Sequence, residues 1–175
     1  MAPRPFIEYL TYFHTFRDYF ECHEVLEEHW KEEGQQNKLW VGYIQLAVAM
    51  YHHRRNNFPG AKKQLSQAVT ILEMERKQSI QLGIDIEALL VKLRKKLSQI
   101  TNKQPYTPIN IPINSQELIE KCREISQEKG STWGKEIGLI SSDIIHKHKL
   151  RDRTEIIAER EYQLKKRMNA KKEGN

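Results

Sequence analysis

Cysteine is nearly absent from this 175-residue chain. Cys22 and Cys122 stand far apart, with no CxxC spacing, which excludes a disulfide framework and leaves two reduced, structural thiols as the expectation. Glycine and proline are also scarce, at eight and six residues, too few for a fold built from many strands and tight turns. No stretch reaches the roughly 18 consecutive apolar residues that would span a bilayer. The opening "MAPRPFIEYLTY" lacks the basic region followed by an apolar run that marks a secretory leader. The chain is therefore expected to be cytoplasmic, with no membrane partner. It also has no phosphate-binding loop, and no serine or cysteine stands where a nucleophile would have an evident role.

What is present is charge and helical periodicity. Charged residues make up 30% and hydrophobic ones 38%, a balance that predicts a soluble all-α protein with one core. The formal net charge of +6 is unevenly spread, and residues 143–175 hold ten Lys/Arg against six Asp/Glu. Apolar residues at helical spacing predict helices over residues 5–16, 19–31, 38–54, 57–75 and 85–97. The third of these, "KLWVGYIQLAVAMYHHR", carries Gln45 as its only strongly polar side chain between Leu39 and Tyr51, and reads as a central helix covered on all sides. A single compact bundle of about five helices over residues 1–100 follows. Residues 101–114, "TNKQPYTPINIPIN", contain three prolines and no helical period, and are expected to form a linker. A basic, helical C-terminal extension over residues 115–175 completes the chain. At its start Asn114 with Glu117 reads as a capping box, and further on Asp152 with Glu155 as the start of a last helix running to about Ala170.

The phrase "CHEVLEEHW" at residues 22–30 carries the most unusual chemistry. It approaches the HExxH of zinc peptidases, but Glu27 stands where the second histidine is required. On a helix His23, Glu27 and Trp30 share one face within about 60°. His29 is out of register with His23 and cannot share an ion with it. On the central helix Gln45 and His52 lie seven residues apart, again on one face, with Ala49 between them. A buried amide left unpaired costs on the order of 1–3 kcal/mol, so Gln45 is expected to bond His23 and Glu27. These residues predict a polar pocket of His23, Glu27, Gln45 and His52, walled by Trp30 and Tyr51, with Lys38 or Asn57 at its ends. A buried network that only fixes how two helices pair is the competing reading. In a catalytic pocket Glu27, its pKa raised by burial, would be the base, with His23 or His52 as orienting partner or acid. For a divalent metal, His23, Glu27 and His52 are the candidate ligands.

The HxxxExxW of "HEVLEEHW", followed by "WVGYIQLAVAMYHHRRNNFPGAKKQL" and "GIDIEALL", resembles a bacterial and archaeal family known as domain of unknown function 309. The resemblance spans residues 19–72, and more loosely 83–90. It implies a small all-helical bundle and a motif carried by His23, Glu27 and Trp30, with Gln45 and His52 on the family's second helix and Asn57, Gly60 and Ala61 at its turn. It implies no established activity. A ligand- or partner-binding module is therefore the leading expectation, ahead of a metal-dependent or acid/base hydrolase. A nucleic-acid adaptor acting through the basic tail is the third, with residues 143–175 the candidate contact for a protein or an RNA.

Overall fold

Short polar side chains divide the chain into helices. Asp18, Asn37, Asn57, Asp85 and Ser115 each accept a hydrogen bond from a backbone N–H of the turn that follows, satisfying donors that the helix itself leaves unpaired. The computed structural model describes residues 1–134, 142–150 and 154–173. Helices α1 (Arg4–Thr11), α2 (Tyr19–Glu32), α3 (Lys38–Arg54), α4 (Phe58–Met74), α5 (Arg76–Gln81), α6 (Ile86–Thr101) and α7 (Gln116–Glu128) belong to one compact unit, Met1–Ile145. The short α8 (Ser142–Ile145) closes that unit. A second unit, His146–Asn175, contains α9 (Lys147–Leu150) and α10 (Thr154–Glu173). The chain is all-α: no strand occurs among the described residues beyond a single bridge between Ile84 and Ile113. Nor is any described helix long and apolar enough to cross a membrane.

Helix α3 is the centre of the first unit. It packs most extensively on α4, then on α2, and buries Leu39, Trp40, Tyr43, Leu46, Ala47, Ala49 and Met50. Gly42 permits the close approach to α4, since a Cβ there would stand 3.0 Å from both Ile71 Cγ2 and Leu72 Cδ2. Phe6, Tyr9, Leu10 and Phe13, fully buried, bring α1 onto the same core, and the Tyr9 hydroxyl donates to the Tyr43 carbonyl at 2.7 Å.

Several expectations need correction. The first helix does not run uniformly to residue 16, because Tyr12–Phe16 opens into a π-helical turn that ends at Arg17 in the left-handed region, φ 50°. The extra helix α5 follows α4 where no cap or apolar stripe announced one. Helix α7 is capped by Ser115, whose Oγ accepts from Leu118 N at 3.2 Å, rather than by Asn114. That helix packs on α1, and its Ser126 Oγ lies 3.0 Å from Thr15 Oγ1 of the π-turn, so the bundle unit extends well past residue 100. Asp152, the expected cap of the last helix, lies outside the described residues.

The proline-rich segment is a strap across the bundle. Its Ile111 is 1% exposed and joins the core. Basic side chains of the bundle hold its backbone: Arg17 donates to the carbonyl of Ile109 (2.6 Å), Lys92 to that of Asn110 (3.1 Å) and Lys96 to that of Thr107 (2.8 Å). His53 Nε2 lies 2.9 Å from the Gln104 carbonyl, and Tyr106 pairs its hydroxyl with that of Tyr19.

Candidate functional site

Asp18 starts α2 so that its first buried residues, Tyr19, Cys22 and Leu26, face the core. The adjoining face then carries His23, Glu27 and Trp30 at the edge of the bundle. His23 Nε2 lies 2.7 Å from Glu27 Oε2 and its Nδ1 lies 3.2 Å from Glu24 Oε1. Lys31 Nζ reaches Glu27 Oε1 at 2.7 Å, one turn further on. Four charged side chains on two turns of one helix thus form a continuous ionic chain. They are neither buried nor fully solvated: His23 is 27% exposed and Glu27 30%.

The electrostatics follow from this geometry. Burial alone would lower the His23 pKa, but the hydrogen bonds and charges of Glu24 and Glu27 outweigh it and raise the group from 6.5 to about 9. Glu27 moves the other way, from 4.5 to about 2. The His23 hydrogen bond leads that shift, burial opposes it, and Lys31 adds to it. Near neutrality the site therefore holds an imidazolium between two carboxylates. The expectation of a Glu27 raised by burial to act as base is overturned, because an adjacent cation costs the carboxylate its affinity for a proton.

The expected convergence with α3 is partial. Phe20 connects the two helices, its ring 6.1 Å from that of His23 and 6.3 Å from that of Tyr51. Trp30 packs, half-buried, against the core, and its Nε1 is buried without a hydrogen-bond partner among the described residues. Gln45 corrects the sequence reading: its Nε2 donates to Gln67 Oε1 of α4 at 3.1 Å rather than to His23 or Glu27. It lines an open groove of about 370 Å³ with Ser66, Gln67, Thr70 and Ile71. The α3 helix turns that position toward α4, and a neighbouring amide satisfies the donor. His52 stands at the α3 C-terminus, where Asn57 Nδ2 donates to its Nδ1 at 3.2 Å. Burial, then the charge of Arg55, lowers its pKa. Asn57 also caps α4, accepting from Gly60 N at 3.1 Å. Lys38 begins α3 behind its cap Asn37.

Two members of the ionic chain escaped the sequence reading, Glu24 and Lys31, along with the connecting ring of Phe20. The Glu27–Lys31 spacing of four was a legible signal. For a metal, the nearest set is His23, Glu24 and Glu27, whose ligand atoms lie within 4.8 Å of one another. Yet Glu24 and Glu27 sit at opposite nitrogens of one imidazole, so an ion on either nitrogen would meet only one of the two carboxylates at that edge. His52 bonds elsewhere. Among the described residues no fourth ligand is grouped with these three. Cys22 is fully buried, with Sγ 3.3 Å from the Tyr9 carbonyl, and burial pushes its thiol pKa well up. It is structural.

Residues 6–64, from α1 into α4, match the family model described as a domain of unknown function, DUF309. An uncharacterised protein of Bacillus subtilis (strain 168), YpuF, is 43% identical over 173 residues, covering 98% of this chain and 99% of its own length. The chain belongs to the DUF309 family. The likeness to YpuF extends through the strap and the basic tail, well beyond the segment that the family model covers. No solved structure matches the chain.

Proposed function

We propose that this DUF309 protein is a binding module. Its recognition surface is the α2 strip of His23, Glu27 and Trp30 with the adjoining His52 of α3, backed by the buried Tyr51, and its ligand is a polar segment of a partner protein. The observation that carries this reading is the clamped imidazolium. His23 is held at both ring nitrogens by carboxylates yet keeps about a quarter of its surface in solvent, so it presents a fixed charge without a core-packing duty. A fixed charge needs little further ordering when a partner docks, and half-buried aromatics beside it supply the apolar contact that interfaces use. Hydrolysis by an acid/base pair has less support, because Glu27 at about 2 is a poor proton acceptor near neutrality. The basic tail, residues 143–175, offers a second and chemically different surface for a protein or a nucleic acid.

The test compares wild type with Glu27→Gln and His23→Asn in quantitative affinity capture from the source cell, alongside urea unfolding of each protein. The expected result is a discrete set of proteins retained by wild type and released by both variants, with stability changed by no more than about 1 kcal/mol. Identical retained sets, or variants that fail to fold, would contradict the proposal and leave the ionic chain as a structural feature of α2.

A further inference from the structure

From the second unit we infer that α10 is a docking helix for double-stranded DNA, and that Arg160, Arg167 and Lys171 take its phosphates. This stands apart from the α2 strip and survives or fails without it. Every side chain described from residue 160 to 171 is exposed. By helical register Arg160, Arg167 and Lys171 fall within about 40° of one another, a ridge along roughly 16 Å of the helix. The glutamates of α10 stand about 80° or more from any member of that ridge. Among the described residues no ion pair closes on Arg160, Lys165, Lys166, Arg167 or Lys171. Glu161, the acidic residue described on this stretch, thus lies off this face.

Shape selects the partner. A helix of 20 residues is about 30 Å long and roughly 10–12 Å across, which fits the B-DNA major groove, about 12 Å wide. The major groove of an RNA duplex is too deep and narrow for it. Single strands bind by stacking on aromatic side chains, and Tyr162 is the one aromatic of α10. A lipid surface needs a continuous apolar stripe. Along the exposed residues 160–171, Leu164 and Met168 lie about 40° apart with Glu161 beside them, and Tyr162 stands roughly 120° or more from both, so no continuous apolar stripe runs along this stretch. Arginine at two of the three ridge positions suits phosphate, whose oxygens match its planar donor fork.

The test is fluorescence anisotropy of the full-length protein with a labelled random-sequence 20-bp DNA duplex between 50 and 200 mM NaCl. Each phosphate neutralised adds about 0.9 to the steepness with which log K falls against log salt. Wild type is expected to bind with a slope of about −3 or steeper. Arg160→Ala/Arg167→Ala/Lys171→Ala should flatten that slope by about 3. A control, Lys62→Ala/Lys63→Ala/Lys95→Ala, removes the same three charges from exposed bundle positions and should keep the wild-type slope. Alanine, the best helix former, preserves the helix in both. No binding at 50 mM salt would overturn the inference. So would equal loss in both triple variants, or tighter binding to an RNA duplex of the same length or to vesicles of anionic phospholipid.

Discussion

His23 concentrates the chemistry of this protein at the scale of one residue. Its folded pKa of about 9 exceeds the unfolded 6.5, so the stability it contributes is fully present below about 6.5 and disappears as pH rises through about 9. Glu27 works in the opposite sense. Its folded value of about 2 lies below 4.5, so its contribution is complete above about 4.5 and lost as pH falls through about 2. Both operate together between about pH 4.5 and 6.5. Because both groups keep contact with solvent, screening limits the pair to about 1 kcal/mol. Urea unfolding should therefore show His23→Gln less stable than wild type by about 1 kcal/mol at pH 6 and equal to it at pH 10. A difference independent of pH would mean that His23 acts through packing. The alliance of His23 with Glu27 was legible because helical residues four apart are neighbours. The bond to Glu24 was not, since adjacent positions diverge by about 100° and only a side-chain rotation brings the carboxylate back. Nor could a periodicity say that Gln45 faces α4, because it assigns a face without naming the helix that covers it.

At the scale of the element, the contact of α3 with α4 is the most extensive in the bundle and rests on Gly42. Two effects compete at that position. Alanine inside a helix favours the helix over glycine by about 1 kcal/mol. Against this, its Cβ would stand 3.0 Å from Ile71 Cγ2 and from Leu72 Cδ2, and Leu72 is fully buried. Overpacking costs about 1–3 kcal/mol, so steric cost wins. Gly42→Ala should lower the unfolding free energy by about 1 kcal/mol, measured by the urea midpoint. A gain in stability would show that α4 yields freely. Helices α2, α3, α4 and α6 were legible from apolar residues at helical spacing. The six-residue α5 was not, having no side-chain cap. The π-turn at Tyr12–Phe16 interrupts a pattern that still reads as α-helical, since one added residue per turn leaves the aromatic spacing nearly intact.

For the whole molecule, the largest gap between pattern and structure is the strap. Three prolines and no helical period mark residues 101–114 as a linker, and residues 104–112 carry no helix, although α6 runs on to Thr101 and a turn follows it. What the pattern lacks is any statement of which surface lies beneath. The answer depends on Arg17, His53, Lys92 and Lys96, scattered over α3, α6 and the residue after the π-turn, all turned toward the carbonyls of one segment. Such long-range pairing leaves no local periodicity. The all-α class and the central role of α3 needed none, since both rest on apolar residues repeating within single helices. The surface chemistry of α2 rests on the charge state of His23, and nuclear magnetic resonance reads that state directly. The His23 imidazole, labelled and titrated from pH 5 to 10, should show a midpoint of about 9 with both nitrogens protonated at pH 7. A midpoint near 6.5, or a neutral ring at pH 7, would contradict the clamped imidazolium and reopen acid/base and metal chemistry at the strip.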